Sequence, residues 1–169
     1  MKKLFPVFLV TSVLTSLSAA GCGNLASTDH LQGRVGFVVG PEQQIILRVN
    51  PCGLNINEIR ISGGAEQMGD YTANPTYLIL HSPEQHPEPF DLDLGQIGSP
   101  WTMASGQGLP ENPGKVLLVT AGIQDEIDRT GQTSAYVGDI WEVPPGMVQV
   151  GIYSEERQLI TEEEFLRCT

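Results

Sequence analysis

The stretch Arg34-Val35-Gly36-Phe37-Val38-Val39-Gly40-Pro41-Glu42-Gln43-Gln44-Ile45-Ile46-Leu47-Arg48-Val49 carries two period-two runs on either side of a turn. Val35, Phe37 and Val39 alternate with Arg34, Gly36 and Val38. Ile45, Leu47 and Val49 repeat the pattern, with Gln44 and Arg48 on the opposite face. Side chains of an extended chain point alternately to two faces, so a period of two sets one face against a core. Gly40-Pro41-Glu42-Gln43 supplies the reversal, and Asn50-Pro51 ends the second run. The stretch reads as a β-hairpin, and it sets the class of the domain.

The same period recurs along the chain. Ile59 and Ile61 alternate with Glu58 and Arg60; Phe90, Leu92 and Leu94 with Asp91 and Asp93; Val148, Val150 and Ile152 with Gln149 and Gly151. Tyr77 to Leu80 and Val116 to Val119 are short apolar runs suited to strands buried on both faces. Ala135 to Ile140 is a less regular candidate. About eight short strands separated by turn residues predict an all-β domain, an immunoglobulin-like sandwich or a small barrel. Val143-Pro144-Pro145-Gly146-Met147-Val148-Gln149-Val150 resembles the turn-then-strand entry of immunoglobulin-like sandwiches. A short carboxyl-terminal helix is expected where Thr161, with Glu164 three positions on, forms a capping box ahead of Phe165 and Leu166.

The amino terminus reads as an address. Met1, Lys2 and Lys3 form a positive n-region, Leu4 to Leu17 an apolar h-region, and Ser18, Ala19, Ala20 and Gly21 a small-residue cleavage region. That order is the signature of a secretory signal, and the h-region is shorter than the roughly 20 apolar residues a spanning helix needs. Ala19-Ala20-Gly21-Cys22 resembles the lipobox of bacterial lipoproteins. The resemblance implies a diacylglyceryl group on the sulfur of Cys22, which then becomes the mature amino terminus. Ala19 stands where that family favours Leu, which leaves ordinary cleavage after Ala20 as the alternative. The expected organisation is a signal peptide over 1–21, a lipidated Cys22 with a flexible tether over 22–32, and a β domain over 33–169. With a lipobox, a small β domain and one late disulfide, the plan is similar to that of small lipoproteins of actinobacteria, a likeness that supplies no activity.

Cysteine parity agrees with the lipid. The chain has three cysteines. With Cys22 acylated in an oxidising compartment, Cys52 and Cys168 remain, and two can pair. Lys2 and Lys3 leave with the signal, so the formal charge of −11 becomes −13 and Lys115 is the last lysine. A surface of that sign repels nucleic acid and anionic headgroups, so a nucleic-acid-binding role is excluded on charge.

Chemistry is sparse. His81-Ser82-Pro83-Glu84-Gln85-His86, followed by Asp91 and Asp93, holds metal-ligating residue types without an established ligand spacing, and it reads better as a polar, Pro-rich loop. No G-x-S-x-G elbow is present, and Gly63-Gly64 lacks the following Lys-Ser/Thr of a phosphate cradle. No catalytic residue, metal ligand or cofactor is therefore assigned. Gly95 to Gly114 differs in kind: it is rich in Gly and Pro yet retains Trp101 and Met103. A loop of that length is uncommon in a compact domain and is often functional. Trp101 either contacts a partner with Met103 or folds back to pin the loop. The expected function is that of a lipid-anchored, extracytoplasmic envelope protein: a non-enzymatic interaction or ligand-binding module, membrane-bound through Cys22, with an envelope protein or a small ligand as partner. The alternatives are an envelope hydrolase or its accessory subunit, and a structural domain of an envelope complex.

Overall fold

The hairpin forms as β1 (Leu31–Val39) and β2 (Ile45–Asn50), antiparallel in the register Val35↔Val49 and Phe37↔Leu47. All four of these side chains are fully buried. The reversal is closed by Gly40 N donating to Gln44 O at 2.9 Å, with Gln43 in the left-handed region at φ 56°. The computed structural model describes residues 31–64, 74–153 and 157–168. The expected signal peptide, the lipobox and Cys22 lie outside the described residues. The first strand starts at Leu31, inside the stretch read as tether, because Leu31 and Arg34 pair with a parallel strand at Arg129 and Gly131.

The remaining elements are β3 (Ile56–Ser62), β4 (Thr76–His86), β5 (Phe90–Asp93), β6 (Thr102–Gly106), β7 (Val116–Gly122), β8 (Arg129–Gly131), β9 (Thr133–Tyr136), α1 (Val137–Ile140), β10 (Met147–Val150), β11 (Gln158–Thr161) and α2 (Glu162–Phe165). The protein is all-β with a short carboxyl-terminal helix. Its strands join one curled, mixed sheet in the order β11-β10-β1-β8-β7-β3-β4-β6, with β2 linking β1 to β5 and β9 beside β7. Of the two architectures expected, the half-barrel leans toward the barrel.

Two apolar clusters sit on the two faces. The larger gathers Val35, Phe37, Leu47, Ile59, Ile61, Leu78, Leu80, Leu117 and Val119, the inward residues of the alternating runs. The smaller, Val38, Val148 and Phe165, lies across the sheet. Gly36 makes it possible: a Cβ there would meet Val148 Cγ1 at 2.4 Å and Phe165 Cε2 at 3.1 Å. The side-chain oxygen of Thr161 accepts from Glu164 N at 3.2 Å, so the expected cap opens α2 and aims Phe165 at this cluster.

Four local readings change. Strand β4 runs on through His81–His86, the stretch expected to be a loop, because the chain bulges there and rejoins its partner at Ile56↔His86. Inside the expected 95–114 loop, residues 102–106 pair with β4 as β6. Ala135 to Ile140 divides between the end of β9 and one turn of helix, α1. Strands β8 and β11 are additional, and both take their place from pairing with a neighbour.

Candidate functional site

The segment singled out in the sequence has a buried root and an exposed strand. Trp101 is 5% exposed and packs in the main core. Its ring stacks on His86 with centroids 5.0 Å apart and on Phe90 at 5.6 Å. His86 is held from the other side by Ser82, whose Oγ lies 3.0 Å from Nε2. Ser82 Oγ also accepts from Glu84 N at 3.0 Å, so the hydroxyl ties His86 to the backbone of the β4 bulge. Of the two readings of Trp101, its burial matches the one in which the ring folds back and pins the segment: a ring this large is stabilised more by core burial than by exposure.

Beyond Trp101 the chain forms β6, every residue of which is exposed, Met103 at 51%. Among the described residues the strand pairs with β4 alone, on one side. Its far end is fixed by Tyr77 O, which accepts from Gln107 N at 2.9 Å and Gly108 N at 3.2 Å. Gly106 permits that approach, at φ 130°, where a Cβ would fall 2.1 Å from Tyr77 O. Leu94 to Pro110 contains no Asp, Glu, Lys or Arg, the longest such run after Cys22. An edge strand carries unpaired N–H and C=O groups and is usually blunted by charge or proline. Here one bulge, between the Ser105↔Ile79 and Met103↔Leu80 pairs, supplies the only such device within the strand.

A second feature is a polar cleft of about 310 Å³ above β3 and β7, lined by Glu58, Arg60, Asp125, Glu126, Asp128 and Arg129 among others. Glu58 and Arg60 share the outer face of β3 because Ile59 and Ile61 take the inner one. Arg60 Nε donates to Glu58 Oε1 at 2.6 Å, and His81 Nε2, on the paired residue of β4, lies 3.1 Å from Oε2. Burial works against ionisation of Glu58, but the hydrogen bonds and charges of Arg60 and then of His81 outweigh it and hold the carboxyl below its ordinary value. A hydrolytic pair of carboxylates needs one member kept protonated as general acid. Glu58, already engaged by two basic side chains, does not fill that role.

The histidines and acids weighed for a metal do not converge. His81 faces Glu58, His86 faces Ser82 and Trp101, Asp91 accepts from Arg48 Nε at 2.8 Å, and Asp93 Oδ1 accepts from Gly95 N at 2.8 Å. Among the described residues no group of three or more His, Cys, Asp or Glu is placed to hold a metal ion. Cys52 and Cys168 are disulfide-bonded with Cα atoms 5.5 Å apart, tying the end of β2 to the end of α2. Beside the bridge, Asn50 is 1% exposed; its Nδ2 donates to Phe165 O at 3.0 Å and its Oδ1 accepts from Cys52 N at 3.3 Å.

No protein-family model matches the chain, and neither a curated protein nor a solved structure matches it. No relative's activity can be carried over, and a functional reading must stand on the geometry of these residues. Sequence reasoning pointed to the 95–114 segment through Trp101 and Met103 but missed the strand in it. It also missed the Glu58–Arg60–His81 group, because His81 joins the two β3 residues only through the pairing of β3 with β4.

Proposed function

We propose that the chain is the precursor of an exported lipoprotein, anchored by acyl chains on Cys22, whose β domain is a non-enzymatic interaction module of the cell envelope. In this reading the partner is an envelope protein that adds an extended segment to the open edge of β6. One observation carries the reading: β6 is exposed over its whole length, uncharged and, among the described residues, paired on one side alone, while Trp101 and Tyr77 tie its two ends to the domain. Main-chain hydrogen bonds then supply affinity for an added strand, and side chains such as Met103 supply selectivity. In a domain of strongly negative charge, a neutral edge is where a partner approaches without repulsion.

The test places a photocrosslinking residue at Met103 in the anchored protein within its native envelope, with the same residue at Leu166 as the control. Both positions are about half exposed. The expected result is one discrete adduct from position 103 and none from 166. No adduct at 103, or the same adducts from both positions, would remove the β6 edge as the interaction site.

A further inference from the structure

Helix α2 covers an apolar socket and is tied down by one covalent bond. It holds four residues, too few to be stable without tertiary contacts. Phe165 is buried, while every other residue from Thr161 to Cys168 is exposed. The Phe165 ring packs against Val38 and Val148, and Gly36 leaves the room for it. The larger core lies on the opposite face of the sheet and contains none of these residues. Removing α2 therefore empties the socket without opening the main core. The noncovalent contacts of α2 include the Arg48–Glu162 ion pair at 2.7 Å and Asn50 Nδ2 donating to Phe165 O at 3.0 Å. The Glu162 side chain is half exposed, and an ion pair that open to water contributes little. The covalent bond is the Cys52–Cys168 bridge, and its two ends differ. Cys52 is half-buried in the turn from Pro51 to Leu54, which is closed by Leu54 N donating to Pro51 O at 3.2 Å. Its carbonyl accepts from Gln32 Nε2 and its N–H donates to Asn50 Oδ1, so this end is fixed to the sheet. Cys168 is exposed and stands just past the end of α2.

We infer that the bridge is a redox-released latch: exchange with a dithiol at Cys168 frees α2 and uncovers the socket. A thiolate of the dithiol attacks Cys168 Sγ, the sulfur of the exposed residue. The S–S bond breaks, and Cys52 Sγ leaves as a thiolate that takes up a proton. The second thiol of the dithiol loses its proton and attacks its own partner sulfur in the mixed disulfide. Cys168 then leaves as a thiolate and is protonated in turn. The bridge is reduced to two thiols and the dithiol is oxidised to a disulfide; the two protons given up by the dithiol are those the cysteines take up. With the bond open, α2 relies on one buried side chain and on polar contacts, so its opening separates from that of the main core. The latch uses neither the edge of β6 nor acylation of Cys22, so it stands or falls apart from the proposed interaction module.

The test uses the full chain with Cys22→Ala, so that the bridge cysteines are the only thiols after reduction. The folded protein is incubated with dithiothreitol, and amide hydrogen exchange is compared before and after. Glu164 N donates to Thr161 Oγ1, Leu166 N to Glu162 O and Arg167 N to Glu164 O, so these three amides report on α2. The expected result is exchange at least about tenfold faster at all three after reduction, while β3 and β7 stay protected. Binding of a dye that brightens on exposed apolar surface should rise in step, and both changes should reverse on reoxidation. Cys168→Ser should show the fast exchange without any reductant. Glutathione in place of dithiothreitol, with the freed thiol alkylated, should leave its mixed disulfide on Cys168, as read by peptide mass mapping. Protection retained at Glu164, Leu166 and Arg167 in the reduced protein would overturn the latch. Loss of protection in β3 and β7 together with α2 would do the same, since the bridge would then hold the whole domain. A glutathione adduct on Cys52 would overturn the order of attack.

Discussion

The indole of Trp101 and the imidazole of His86 stack 5.0 Å apart at an interplanar angle of 21°. Phe90 joins the same stack, so the start of β6, the end of β4 and the start of β5 are held at one point of the core. Trp101→Ala would leave a large cavity there. The expected loss is roughly 3–5 kcal/mol, the range for removing a buried aromatic ring. Met103→Ala should leave stability nearly unchanged, because the side chain is half exposed. Denaturant titration of the two variants checks both. Equal, small effects would show that the stack does not anchor the segment.

Gly106→Ala should detach β6 without unfolding the domain. Its Cβ has no room against the backbone of Tyr77, and its φ of 130° is one that side chains rarely adopt. Strain of this kind costs on the order of 1–3 kcal/mol. All of β6 is exposed, so little apolar burial is lost when it leaves. Amide exchange should become fast over residues 102–106 and stay slow in β7. Protection retained across β6 would contradict the reading of Gly106 as its hinge to Tyr77.

The sequence made the inner strands legible because burial on one face imposes a period of two. Val35, Phe37, Ile45, Leu47, Ile59, Ile61, Phe90, Leu92, Val148 and Val150 all carried that signal. Strand β6 carries none, since both of its faces are in water and Thr102, Met103, Ala104, Ser105 and Gly106 need not alternate. Strand β8 is three residues long and exists through pairing with β1 and β7. The extension of β4 was hidden by Pro83 and by polar side chains that serve a bulge. The cleft lined by Gly64, Tyr77, Lys115, Tyr136 and Tyr153 among others was not legible at all, because these residues, far apart in sequence, meet only in the folded sheet. The Cys52–Cys168 pair was legible once the lipobox resemblance set Cys22 aside, and the fold supplies its geometry.

Removing the bridge with Cys52→Ala and Cys168→Ala should destabilise the domain by about 4–5 kcal/mol at most, the chain-entropy figure for a closed loop near 100 residues. Asn50→Ala should cost less, on the order of 1–3 kcal/mol, by leaving Phe165 O without its buried donor. The two effects should not add, because Asn50 also accepts from Cys52 N and so shares the bridge's geometry. Thiol titration of the folded, unreduced domain should find neither Cys52 nor Cys168 reactive. Reactive thiols at both positions would dispose of the bridge.

Anchoring is tested apart from folding. Cys22→Ala should release the protein from membranes or stall its processing, while the β domain keeps its melting temperature, since residue 22 precedes the first strand by nine positions. Membrane fractionation with intact-mass analysis reads both outcomes. A mature wild-type chain that begins at Gly21 without a mass increment would establish the rival cleavage after Ala20.

The acid limb of the stability curve should report on Glu58. Its carboxyl is pulled below the ordinary value of 4.5, with burial opposing ionisation and the Arg60 and His81 contacts more than offsetting it. A carboxyl whose pKa is lower in the folded state contributes stability that is fully present above the ordinary value. That contribution is lost as pH falls through the folded value, because the unfolded chain binds the proton first. The window therefore opens near pH 4.5 and extends downward. Glu58→Gln keeps an acceptor for Arg60 but removes the charge. It should lower stability at neutral pH and flatten the decline below pH 4.5, where the wild-type curve steepens. Asp125, whose charge also acts on Arg60, provides the comparison. Asp125→Asn should leave most of the steepening in place, since it removes none of the hydrogen bonds to Glu58. Denaturant midpoints measured from about pH 7 to about pH 3 separate these cases. Identical acid limbs for wild type and Glu58→Gln would mean that the Arg60 and His81 contacts do not lower the Glu58 carboxyl in solution.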